Sequence, residues 1–191
     1  TEIIMRPAKI KHPLFGTEIS LDVGAKITKS PDGKILSYES RLHGHKSKST
    51  FEYYKSGEVS GITTDISGEH YTYTEATKYY PNGNKMSETA NDSKTWRING
   101  DEYPIQAKNS KVSYDTNGKA TKIEYTPNNK QNGEIERISI QPEFVEIPGY
   151  SSVQLSAGAK STFDKSGKLI FQVYSLRLPL YMGQENFFLI Y

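Results

Sequence analysis

Apolar and polar residues alternate along this chain in short runs, and almost every run ends at a glycine. After Gly167 the order is Lys168-Leu169-Ile170-Phe171-Gln172-Val173-Tyr174, which carries the two-residue period of a strand. No window of a dozen residues shows an apolar stripe at helical spacing. The punctuation is regular. Pro31-Asp32-Gly33-Lys34, Lys55-Ser56-Gly57-Glu58, Pro81-Asn82-Gly83-Asn84, Asp115-Thr116-Asn117-Gly118-Lys119 and Asp164-Lys165-Ser166-Gly167-Lys168 each place a polar turn residue ahead of a glycine. Asn99-Gly100 and Asn132-Gly133 are shorter versions. Glycine supplies the positive φ of a tight hairpin, and the polar residue before it initiates the turn. Tyr54, Tyr80, Tyr114 and Phe163 stand just upstream of four of these turns. The pattern predicts an all-β protein, an antiparallel meander of Gly-turn hairpins with few or no helices. Its sheet is expected to be curved and open, or folded over as a sandwich or jelly roll.

Composition agrees. Ile, Val and Thr number 38 and the aromatics 22, against 18 Ala plus Leu, a balance that suits pleated surfaces better than helices. One domain over residues 1–191 is expected, with a polar hairpin region (1–147) and apolar C-terminal strands (148–191) as its subdivision. Pro148-Gly149-Tyr150-Ser151-Ser152 reads as the linker between them. The C-terminal stretch Leu169 to Tyr191 is the most apolar. No run reaches the ~20 apolar residues of a membrane-spanning helix.

The units Tyr53-Tyr54-Lys55-Ser56-Gly57-Glu58 and Tyr79-Tyr80-Pro81-Asn82-Gly83-Asn84-Lys85 resemble the core of the bacterial MORN-type repeat found in antitoxin-like proteins. That resemblance implies stacked hairpins in an extended curved sheet, and a role in binding rather than chemistry. Phe163-Asp164-Lys165-Ser166-Gly167-Lys168-Leu169, followed by Val173-Tyr174-Ser175-Leu176, resembles a strand pair of periplasmic lipopolysaccharide-transport proteins. This second likeness implies a β-jelly-roll groove for lipid.

The net charge is +2, without the gathered basic excess of a nucleic-acid binder. The densest basic run, Arg41 to Lys48, reads as a solvated strand or loop. With no cysteine, a disulfide framework, zinc–cysteine and iron–sulfur sites and a thiol nucleophile are excluded. The chain opens at Thr1 without an initiator Met, so an exported protein (periplasmic, outer-membrane lipoprotein or cell-surface) is expected.

Catalytic constellations are sparse. His43 and His45 would share a strand face, with Asp65, Glu69 or His70 as a third metal ligand, but Gly44 between them signals a turn or bulge. No metal and no cofactor is expected. The pairs Glu134/Glu136 and Glu143/Glu146 read as solvated acids, and no Gly-x-Ser-x-Gly elbow is present. The expectation is a non-enzymatic interaction module. Its candidate binding surface is Tyr53, Tyr71, Tyr73 and Tyr79, because tyrosine combines a large contact area with a polar tip. Alternate tyrosines that close a thin core are the competing reading, and Trp96 reads as a core anchor. The partner would be a protein or a glycan; a lipid carrier is the alternative.

Overall fold

A computed structural model describes residues 1–42, 45–69, 71–128, 133–146 and 152–173. They form eighteen strands, paired antiparallel, and no helix. The fold is therefore all-β and built of hairpins. Among these residues no helix is long and apolar enough to cross a membrane. The chain divides into two compact units, Thr1–Asn91 and Asp92–Tyr191.

Unit 1 holds β1 (Glu2–Ile3), β2 (Ala8–Lys11), β3 (Glu18–Leu21), β4 (Lys26–Lys29), β5 (Ile35–Leu42), β6 (His45–Tyr53), β7 (Val59–Ser67), β8 (Thr72–Tyr79) and β9 (Lys85–Ala90). Strands β4 to β9 lie side by side in chain order, with β1 outside β4. Directly opposed residues point to the same side of a sheet. The register therefore puts Ile27, Tyr38, Ser49, Thr64, Glu75 and Ala90 on one face. The separate β2–β3 hairpin covers part of that face. Leu21, Ile27, Tyr38, Phe51, Val59 and Tyr79 form the core, and Ile10, Leu14 and Ile19 pack against it from the hairpin. Each such side chain contributes roughly 1.5–3 kcal/mol by leaving water.

Unit 2 holds β10 (Lys94–Ile98), β11 (Asp101–Ile105), β12 (Lys108–Tyr114), β13 (Ala120–Thr126), β14 (Ile135–Ser139), β15 (Glu143–Val145), β16 (Val153–Leu155), β17 (Lys160–Phe163) and β18 (Leu169–Val173). Its sheet runs β12-β13-β14-β17-β18, and β10–β11 and β15–β16 are separate hairpins. Trp96 of β10 donates its indole N–H to Ser110 Oγ of β12 at 3.0 Å, both residues being buried. Val145 and Leu155 of the β15–β16 hairpin cluster with Ala159 and Phe163. Pro104 sits in β11, which among the described residues pairs only with β10, an edge position where a missing N–H costs no ladder bond.

The five predicted turns are one structure repeated. In each, the first residue donates its N–H to the carbonyl of the fifth, and the glycine at the fourth place donates back to the first. The pairs are Ser30/Lys34, Tyr54/Glu58, Tyr80/Asn84, Asp115/Lys119 and Asp164/Lys168, at 2.8–2.9 Å. This is a type I turn closed by a glycine bulge, and every one of these hairpins shows the matching register shift beside its turn. Asp115 and Asp164 stabilise their turns further, each accepting two backbone N–H bonds on Oδ1. Gly83 has φ of 84° and open space where a Cβ would stand, so Gly83→Ala isolates the backbone cost. We expect it to lower the stability of unit 1 by about 1–2 kcal/mol, with a smaller loss for Gly83→Asn, read as shifted urea midpoints.

Candidate functional site

Strand lengths create a concavity in unit 1. β5, β6 and β7 run for 8, 9 and 9 residues, whereas β4 has only 4. The long strands outrun their neighbour, and the chain from Asp22 to Ala25 stands beside their free ends. Between them lies a cleft of about 560 Å³, lined by Asp22–Ala25, Glu39–Arg41, Lys46–Lys48, Asp65 and Ser67.

Register orders its charges. Lys48 lies between Glu39 and Asp65, and Thr74 follows Asp65 on the next strand. Thr74 donates its hydroxyl to Asp65 at 2.8 Å. In the next row Lys46 lies between Arg41 and Ser67. Arg41 Nε reaches Asp22 at 3.1 Å, with both side chains more than half exposed. Such a pair is worth about 0–1 kcal/mol and rearranges readily. Three cations (Arg41, Lys46, Lys48) face three carboxylates (Asp22, Glu39, Asp65), so the cleft is charge-balanced and does not favour a polyanion.

The four tyrosines take different positions. Tyr79 is buried at 5% exposure in the core of unit 1. Tyr53 packs against the same core and donates its hydroxyl to the Ile35 carbonyl at 2.6 Å. Its neighbour Tyr54 donates to the Tyr79 carbonyl at 2.6 Å, so a turn residue of one hairpin braces the next. Burial pushes the Tyr53 and Tyr79 phenols above their usual range, which keeps both uncharged near neutrality. Tyr73 shares a face with Ser47 and Ile66, and its hydroxyl bonds Glu75 at 2.6 Å. Tyr71 alone of the four is broadly exposed, at 50%. Its ring lies against Gly68, where an added Cβ would come within 2.3 Å, and meets the His45 ring edge-on at 5.6 Å. His45 and Gly68, which the ring touches, are chain neighbours of Lys46 and Ser67 in the cleft lining. Tyr53 and Tyr79 are thus structural, and Tyr71 is the aromatic beside the charged cleft.

His43 and His70 lie outside the described residues, as do Pro148 to Ser151 and, past Val173, the apolar segment behind the lipid-carrier alternative. Among the described residues no three His, Cys, Asp or Glu side chains are grouped so that they could hold a metal ion.

A second concavity, of about 440 Å³, opens in unit 2 between residues 104–107 and the sheet. Tyr125 opposes Glu136 across β13 and β14, and donates its hydroxyl to Glu136 Oε2 at 2.7 Å. Lys160 of β17 reaches the same oxygen at 2.7 Å. Burial raises the Tyr125 phenol, and the bond to Glu136 raises it further. Burial opposes the Lys160 cation, but the bonds to Glu136 and Tyr125 outweigh it and hold the amine above its usual range. The Tyr125 phenol and the Lys160 ammonium therefore keep their protons near neutrality, and both bond the same Glu136 oxygen.

No protein-family profile matches the chain, and no curated protein sequence matches it.

Proposed function

We propose that the protein is a non-enzymatic binding module that holds a protein or glycan partner in the cleft of unit 1. One observation carries this reading: a charge-balanced concavity of about 560 Å³ on strand ends that the covering hairpin and β4 leave open. Its polar groups pair across strands, which suits recognition by complementary contacts. Tyr71 beside it adds an exposed ring able to stack on a sugar or a side chain. The resemblance of the Tyr53 and Tyr79 segments to a repeat family associated with binding supports the same role.

Panels of arrayed glycans and arrayed peptides test it. The intact protein is expected to retain members of one class. Lys48→Glu should weaken that retention by about tenfold, equivalent to ~1.4 kcal/mol, because it sets three acids in one cross-strand row. The urea midpoint should fall only slightly, because the site is exposed and like charges facing each other across strands cost about 0.2–1 kcal/mol per pair. Failure to retain either class, or retention indifferent to Lys48→Glu, contradicts the proposal.

A further inference from the structure

We propose that the concavity of unit 2 is a second binding site and that it takes one uncharged sugar ring. The site stands apart from the unit 1 cleft and does not depend on the role given to that cleft. Its volume of about 440 Å³ falls within the ~300–1,000 Å³ typical of small-ligand pockets.

Charge narrows the ligand first. Glu136 and Lys160 are the two charged side chains of the lining. They bond each other at 2.7 Å, so the site is neutral as a whole. An anion drawn to the Lys160 ammonium would stand beside the Glu136 carboxylate. A cation drawn to Glu136 would meet that ammonium. Either one gains from one partner and loses to the other at short range. An uncharged ligand meets no such conflict.

The polar groups that remain ask for hydroxyls. An ammonium has three N–H donors. Lys160 uses two, on Glu136 and on the Tyr125 phenol. Its side chain is 49% exposed, so the third donor can reach a ligand oxygen. Asn128, after β13, donates from Nδ2 to the Gln106 carbonyl at 2.9 Å. That bond sets which way the carboxamide faces and leaves its Oδ1 to accept a proton. The lining thus offers a donor and an acceptor on separate elements, and a hydroxyl can serve either one. Ile105, Ala107 and Pro127 supply the apolar part of the lining, and all three are buried. A pyranose ring has this same two-sided character, with hydroxyls at its edge and C–H groups on its faces. A hydrocarbon chain would cover the Lys160 and Asn128 groups without bonding them, at a desolvation cost.

The test titrates the full isotope-labelled chain with the methyl β-glycosides of glucose, galactose, mannose and N-acetylglucosamine, followed by amide chemical shifts. At least one should shift the amides of residues 105–107, 125, 126 and 136. It should bind at least about fivefold tighter than its uronic-acid or amino-sugar counterpart, because each of those brings a charge beside its like. Asn128→Ala should weaken that glycoside roughly 2- to 10-fold, and Lys160→Met by at least about tenfold. Asn128 is exposed, so its variant should keep the urea midpoint and decides the matter even where Lys160→Met disturbs the fold. No binding of any of the four at about 100 mM, far above a ~1 mM Kd, overturns the inference. So does a charged counterpart that binds equally or better, or binding indifferent to Asn128→Ala. Shifts confined to residues 22–25, 39–41 and 46–48 would place the sugar in the unit 1 cleft. That result would overturn this inference alone and leave the binding module standing.

Discussion

Replacing Trp96 by alanine is expected to leave unit 2 largely unfolded at room temperature. The ring is 4% exposed, and large-to-small changes at such aromatic sites cost about 3–5 kcal/mol. Two further losses come with it. Ser110 Oγ, fully buried, loses the indole N–H donor that reaches it at 3.0 Å, and an orphaned buried hydroxyl costs about 1–3 kcal/mol. The Lys94 ammonium, 4.4 Å from the ring centroid, loses its cation–π partner. Native domains have only about 5–15 kcal/mol in hand, so the combined effect is comparable with the whole. Trp96→Phe keeps most of the ring and loses the hydrogen bond, and should cost far less. Circular dichroism through a urea titration reads both, since the chain's one tryptophan is removed in each.

Arg137 is the second sensitive point. Its guanidinium bonds Glu124 Oε1 from Nη2 at 2.7 Å and from Nε at 3.0 Å, and reaches Glu143 at 3.4 Å. It also lies 4.1 Å from the centroid of the Phe163 ring, under the β15–β16 hairpin cluster. Side-chain exposures of 17, 20 and 26% make this a largely enclosed cluster. Arg137→Met keeps the stem and takes the guanidinium from two carboxylates, leaving Glu124 with Lys122 at 3.1 Å and Glu143 with the Ser139 hydroxyl at 2.6 Å. Breaking one side of an enclosed pair costs about 3–5 kcal/mol, and we expect the lower end of that range because some water reaches the acids.

The same cluster sets an acid dependence. Burial pushes the Glu124 carboxyl up, but Lys122 and Arg137 outweigh it and hold it below its usual 4.5. A carboxyl lowered by folding contributes stability that is fully present above the unfolded value and lost as pH falls through the folded one. Unit 2 should therefore weaken as the pH drops below about 4.5, and Arg137→Met should flatten that dependence. Urea midpoints at pH 7 and pH 4, for both proteins, check the sign.

Local chemistry explains which features could be read from the chain. The turns at Gly33, Gly57, Gly83, Gly118 and Gly167 depend on residues within five positions of one another, so their hairpins were legible. The tyrosines beside them were ambiguous, because Tyr79 and Tyr71 carry the same side chain in similar local patterns. Only packing separates the buried core ring from the exposed one. The cleft depends on β5 outrunning β4, a property of strand register. Its residues within Arg41 to Lys48 read as an ordinary basic strand until Asp22, Glu39 and Asp65 are placed beside them. Tyr125, Glu136 and Lys160 meet across three strands, and no spacing along the chain announces them. The boundary at Asn91 likewise carries no linker composition, since Asn91-Asp92-Ser93 resembles any other turn.

Amide chemical-shift mapping of the isotope-labelled protein, titrated with whichever arrayed molecule it retains, is the decisive test of binding in the unit 1 cleft. Perturbations should concentrate on residues 22–25, 39–42, 46–48 and 65–67. Shifts confined to residues around Tyr125, Glu136 and Lys160, or none at saturation, would show that the cleft is not where a partner sits.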